Sequence, residues 1–160
     1  EIKLGQGSKM TMETNQLGGV DYSDRVTRAC LLEDSTLTVH EKILTSRFNV
    51  AKTNFKVNLK GKNSKCNIVS RSVARDESEQ IFKSDLQGKN LCFGHVECDG
   101  IVLDKAKIDS VPKVSAHSNQ ASLSHEAAIG KIASEQIVKL MTLGLSEKEE
   151  EEKIIELFLK

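Results

Sequence analysis

The chain has no tryptophan, one tyrosine and one proline, and aromatic residues make up only 4% of it. So thin a supply of large rings disfavours a bulky helical core and leaves little for a surface that stacks sugar rings. Neither sign of charge is in excess, with Lys plus Arg and Asp plus Glu at 23 each, so no global field attracts a polyanion. No local basic stripe takes its place, which argues against nucleic acid as a partner. No apolar run approaches the roughly 20 residues that span a membrane, and no secretory signal is visible. The four cysteines, Cys30, Cys66, Cys92 and Cys98, are therefore expected as free thiols in a reducing cytoplasm. The chain opens on Glu1 instead of a start methionine or a targeting segment, so it is expected to be an N-terminally truncated fragment of something longer.

Short alternating stretches are plentiful. Leu37–Ile43, Asn54–Leu59 and Gly100–Leu103 are examples, each bounded by Gly, Asn, Asp or Ser, and they read as strands joined by turns. The string Leu59-Lys60-Gly61-Lys62-Asn63 returns as Leu86-Gln87-Gly88-Lys89-Asn90, at an offset of 27 (86 − 59). A period of roughly 20 to 50 residues is the signature of a solenoid, although two similar hairpin turns would produce the same echo. After residue 126 the apolar spacing changes to that of helices. Ser134 is placed to cap one helix that stops at Gly144, and Ser146 with Glu149 forms a capping box for a second, which ends in Ile154, Ile155, Leu157 and Phe158. The expected organisation is a mainly β core over 1–126, a parallel β-helix, followed by a helical hairpin within 127–160.

Cys92, His95 and Cys98 have a spacing suggestive of half a zinc site. A strand puts Cys92 and Cys98 about 20 Å apart on one face and turns His95 to the other, which argues against it. A different grouping follows from the period of the echo. One such turn beyond Cys98 lie His125 and Glu126, so a thiolate, an imidazole and a carboxylate would meet on adjacent strands as possible ligands for iron or carriers of sulfur. The plainer alternative makes Cys98 a small buried hydrophobe and Glu126 a favourable charge near a helix start. The acidic run from Glu147 to Glu152 could dock a partner or simply be a solvated helix face.

The stretch Ser124-His125-Glu126-Ala127-Ala128-Ile129-Gly130-Lys131-Ile132, then Glu135-Gln136-Ile137, Leu143-Gly144-Leu145-Ser146-Glu147 and Ile154–Phe158, resembles the C-terminal signature of the SufB/SufD family. Val96-Glu97-Cys98-Asp99-Gly100-Ile101-Val102-Leu103 and Pro112 extend the likeness upstream. The resemblance implies a right-handed parallel β-helix that serves as a scaffold for iron–sulfur cluster assembly, is not itself an enzyme, and carries the cluster only transiently. It also implies pairing with a SufB/SufD-type homologue or with itself, and C-terminal helices that dock a SufC-type ATPase. That partner fits a chain with no Gly-x4-Gly-Lys-Ser/Thr loop of its own. By this resemblance Cys98 matches the cysteine implicated in cluster or sulfur handling in SufB, Glu126 a functional glutamate of SufB, and His125 the histidine that SufD contributes at the shared interface. Glu after His is SufB-like, whereas the Asp104-Lys105-Ala106-Lys107 stretch lacks a further cysteine often present in SufB. The alternatives from other classes are a β-solenoid carbohydrate-active enzyme and a purely structural interaction module.

Overall fold

A computed structural model describes residues 1–131 and 146–160. Ten strands alternate between two five-stranded sheets. The odd strands, β1 (Ile2–Leu4), β3 (Tyr22–Leu31), β5 (Val50–Leu59), β7 (Glu79–Gly88) and β9 (Lys107–Ala116), stack in that order. The even strands, β2 (Lys9–Gln16), β4 (Thr36–Thr45), β6 (Ser64–Ala74), β8 (Cys92–Val102) and β10 (Ala121–Gly130), form the second sheet. Every ladder is parallel, and each coil consists of one strand from each sheet. The expected parallel β-solenoid is therefore the fold.

Alternation along each strand decides what fills it. On β4, Leu37, Val39, Glu41 and Ile43 point inward and are buried, while His40 points out and is exposed. Leu31, Leu37, Val39, Phe55, Val57, Leu59, Ile68 and Leu86 pack between the sheets with little or no exposure. Burial of such rows, at about 25 cal/mol per Å² of apolar surface, drives the coils together.

The turns repeat as closely as the strands. Asp34 and Asn63 adopt positive φ (54° and 58°) at one end of the coils, and Arg47, Asp76 and Asp104 do so at the other (55°, 61° and 52°). Asp and Asn tolerate this left-handed backbone because their short polar groups bond locally. They also stack: Asn63 Nδ2 donates to Asp34 Oδ1 at 3.0 Å, and Asp104 Oδ2 accepts from Asp76 N at 3.0 Å. A buried serine closes several turns, with Ser35 Oγ donating to Leu32 O (2.6 Å), Ser64 Oγ to Gly61 O (2.7 Å) and Ser78 Oγ to Arg75 O (2.8 Å). Gly61 is required by close approach, since a Cβ there would lie 2.0 Å from Glu33 N in the turn of the coil below.

Paired positions on successive coils are offset in number by between 27, as in Lys9↔Thr36 (36 − 9), and 29, as in Cys92↔Ala121 (121 − 92). The pentapeptide echo thus has the right scale and the wrong register. Leu59 pairs with Gly88, not with Leu86, because the offset between those two coils is 29 (88 − 59).

The strand β10 runs on to Gly130, past the expected change of pattern at 126/127. Ladder pairing of Ala127–Gly130 with Cys98–Ile101 overrides the local helical tendency. The helix α1 (Glu147–Phe158) begins with the expected capping box: Glu149 N donates to Ser146 Oγ at 3.4 Å and Ser146 N to Glu149 Oε2 at 2.9 Å. The first helix of the expected hairpin, with Ser134, Ile137, Leu140, Met141 and Gly144, lies outside the described residues. The acidic turn of α1 is not solvated throughout: Glu149 and Glu152 are exposed, whereas Glu150 is buried. The end of α1 is tied to the outer face of the even sheet. Lys42 Nζ donates to Lys160 O at 2.8 Å and Arg71 Nη1 to Phe158 O at 3.4 Å, while Arg75, in the turn after β6, pairs with Glu152 in the middle of the helix at 2.6 Å. Cations from the sheet thereby meet the negative end of the helix dipole.

Candidate functional site at the open end of the solenoid

The strand β8 carries Cys92, Gly94, Val96, Cys98 and Gly100 inward and Phe93, His95, Glu97, Asp99 and Ile101 outward. Cys92 and Cys98 therefore share the interior, and His95 does not; His95 Nδ1 and Ser124 Oγ are hydrogen-bonded at 2.9 Å on the outer face. The half zinc site fails on this geometry. All four cysteines are free. Burial pushes the Cys66 thiol up to about 12, which makes it an inert packing group. Cys98, 2% exposed, is also raised, first by burial and further by the neighbouring Asp99 carboxylate, against the pull of the Ser110 hydroxyl.

Only β10 lies beyond β8 in the even sheet, and no described strand lies beyond β10. Ala121 and Leu123 still pack against the core, but from Ser124 onward β10 is exposed. Register puts His125 beside Val96, Glu126 beside Glu97, and Ala127 beside Cys98. The offset in this coil is 29 (127 − 98) and not 27, so His125 is two positions short of Cys98. The two share the inward face, with Cα atoms roughly 8 Å apart given the usual strand spacing and rise. Glu126 is nearer along the chain but on the outer face, opposite the Glu97 carboxylate. The three residues do not converge as the period of the echo would have it. Among the described residues no three His, Cys, Asp or Glu side chains gather closely enough to hold a metal ion.

A polar cluster in the interior was not anticipated from the sequence. Glu41, fully buried, forms an ion pair with Arg25 and accepts hydrogen bonds from Thr53 Oγ1 (3.3 Å) and Ser70 Oγ (2.9 Å). Arg25 also lies over the Phe55 ring at 5.9 Å, and burial lowers its pKa. Ser70 is the register neighbour of Cys98, so Thr14, Glu41, Ser70, Cys98 and Ala127 form one inward row. A charged residue at an inward position among Leu37, Val39 and Ile43 is the signal that could have found it.

A parallel two-sheet solenoid with a buried thiol one strand from the last described strand defines the class: a β-helical core domain. A family model described as "SUF system FeS cluster assembly, SufBD core domain" matches residues 1–158. The chain belongs to the SufBD family. It is similar to an iron-sulfur cluster assembly SufBD family protein of Methanocaldococcus jannaschii, with 31% identity over 160 residues, covering 97% of this chain and 50% of that one. Its likeness to the corresponding protein of Archaeoglobus fulgidus is 31% over 161 residues (99% of this chain, 43% of the other). For the Staphylococcus aureus USA300 protein it is 28% over 158 residues (96% and 32%). The chain thus spans half or less of the length of these relatives. No described helix is long and apolar enough to cross a membrane.

Proposed function

We propose that the chain is part of a scaffold on which an iron–sulfur cluster is assembled, and that Cys98 and His125 hold sulfur or iron at its open end. The observation that carries this reading is that the two side chains occupy the same inward face of neighbouring strands, the last two of the even sheet among the described residues. A thiolate and an imidazole suit iron and sulfide, which are cargo here and not a resident cofactor. Two protein ligands are too few to enclose a cluster, so the rest come from a partner, a SufB/SufD-type homologue or a second copy, seated on the β9–β10 end. Glu126 stands on the outer face of the same strand and serves the rim of that joint site. ATP hydrolysis resides on a SufC-type ATPase that docks on the C-terminal helical region, where Glu149, Glu152 and Glu156 are exposed.

The test is anaerobic reconstitution of the full-length protein with iron and sulfide, followed by visible absorbance. Cys98→Ser and His125→Ala are expected to lose most of the cluster absorbance and Cys66→Ala little of it. Full reconstitution of Cys98→Ser would end the proposal.

A further inference from the structure

The strands β8 and β9 are joined by the turn at Leu103–Ala106 and face each other across the interior. Residues equally far from that turn meet: a Cβ on Gly100 would lie 3.1 Å from Ile108 Cδ1. Two positions further from the turn on each strand stand Cys98 and Ser110, at an offset of 12 (110 − 98). The same offset relates Glu41 and Thr53 (53 − 41) two coils below, and there it is a formed hydrogen bond, Thr53 Oγ1 to Glu41 Oε1 at 3.3 Å.

Ser110 differs from Thr53 in one respect. Its hydroxyl is buried and makes no hydrogen bond of ordinary geometry in this state. A buried hydroxyl without a partner lowers stability, so its retention calls for an explanation. The facing thiol satisfies it poorly, because neutral sulfur is a weak acceptor and its S–H a weak donor. An anionic sulfur is a strong one. We propose that Ser110 is a positioning residue for Cys98, donating its hydroxyl to the sulfur there once that sulfur carries a negative load, as a persulfide or an iron-bound thiolate does. This inference rests on the reading of Cys98 as the carrier.

Inorganic polysulfide is a suitable probe with the full-length protein under anaerobic conditions. Cys98, its proton released to water, attacks a sulfane sulfur. One sulfur–sulfur bond forms at Cys98, one breaks in the polysulfide, and the shortened chain leaves with the electron pair. Oxidation at Cys98 is thus matched by reduction of the polysulfide. Site-resolved mass spectrometry then follows the Cys98 persulfide with time. Ser110→Ala is expected to shorten its half-life several-fold, and Ser110→Thr to restore it. The Tm of Ser110→Ala should be unchanged or higher, because an unsatisfied hydroxyl has gone; a merely structural serine would not combine a stable fold with a lost load. Ser84 is the control, an equally partnerless buried hydroxyl on β7 that, counted outward from its own turn in the same way, faces Ile68. Ser84→Ala should leave the half-life as it is. An unchanged half-life in Ser110→Ala, or an equal loss in Ser84→Ala, overturns the role of Ser110 alone. Failure of wild-type Cys98 to load at all overturns it together with the carrier reading.

Discussion

Glu41 is a carboxylate placed where every neighbour along its strand face is aliphatic, and it is tolerated because Arg25, Thr53 and Ser70 converge on it. Removing one member of a buried ion pair leaves the other charge stranded, typically at about 3–5 kcal/mol. The Arg25 side chain is 35% exposed, so water enters readily and the lower end applies. Arg25→Ala is therefore expected to lose about 3 kcal/mol in urea unfolding. Joint replacement by Arg25→Met and Glu41→Leu should recover much of this, short of full recovery because Thr53 and Ser70 then lose their acceptor. The same residues show how far a sequence goes. Inward and outward positions on β4 follow from alternation alone, but that Arg25 reaches Glu41 requires knowing that β3 and β4 face each other.

Strands and turns were legible because each is decided by neighbours in sequence: alternating apolar residues, and Asn, Asp, Gly or Ser where the backbone must reverse. The register was not. Coils with offsets of 27, 28 and 29 differ only in their turns, and a slip by two positions preserves which face each side chain takes. The pentapeptide echo fell into that ambiguity. The Asp34-Ser35 and Asn63-Ser64 turns, at an offset of 29 (63 − 34), mark the true repeat of that coil. In α1, by contrast, the capping box was readable because its parts lie three positions apart. The Ser146 hydrogen bonds hold the Glu149 carboxyl below its ordinary range. A carboxyl depressed in the folded state contributes stability above its unfolded pKa of about 4.3, and that contribution is lost as pH falls through the folded value. Amide exchange in α1 is thus expected to be slow at neutral pH and to lose protection below about pH 4 more than pH alone explains. Glu149→Gln, which keeps a capping acceptor, should flatten the dependence. Unaltered pH dependence in that variant would remove the capping carboxylate as its cause.

At the scale of the whole molecule, the solenoid presents β9 and β10 as edges, among the described residues, with Val114 facing inward and 41% exposed. Unpaired strand edges offer donors and acceptors to a second chain. Association through this end is expected, and Val114→Lys should shift the full-length protein toward monomer in light scattering while leaving its circular dichroism unchanged. A wild type that stays monomeric at high concentration would contradict this. The proposed cargo site depends on the same end, since the ligands it lacks must arrive across it.

The amino-acid sequence by itself determined a succession of short strands joined by turns and a capped helix after them, and which faces Cys92, His95 and Cys98 take; the parallel solenoid was implied by the family resemblance and an echo of the right scale. Periodicity and capping are local, so they survive in one dimension. Only the tertiary structure decided that Ala127 and not His125 sits beside Cys98, that Glu126 turns away toward Glu97, and that Ser110 faces the thiol. Those relations are set by the length of each turn summed around a coil, and a small change in the length of a turn is invisible to the alternation of the strands it joins.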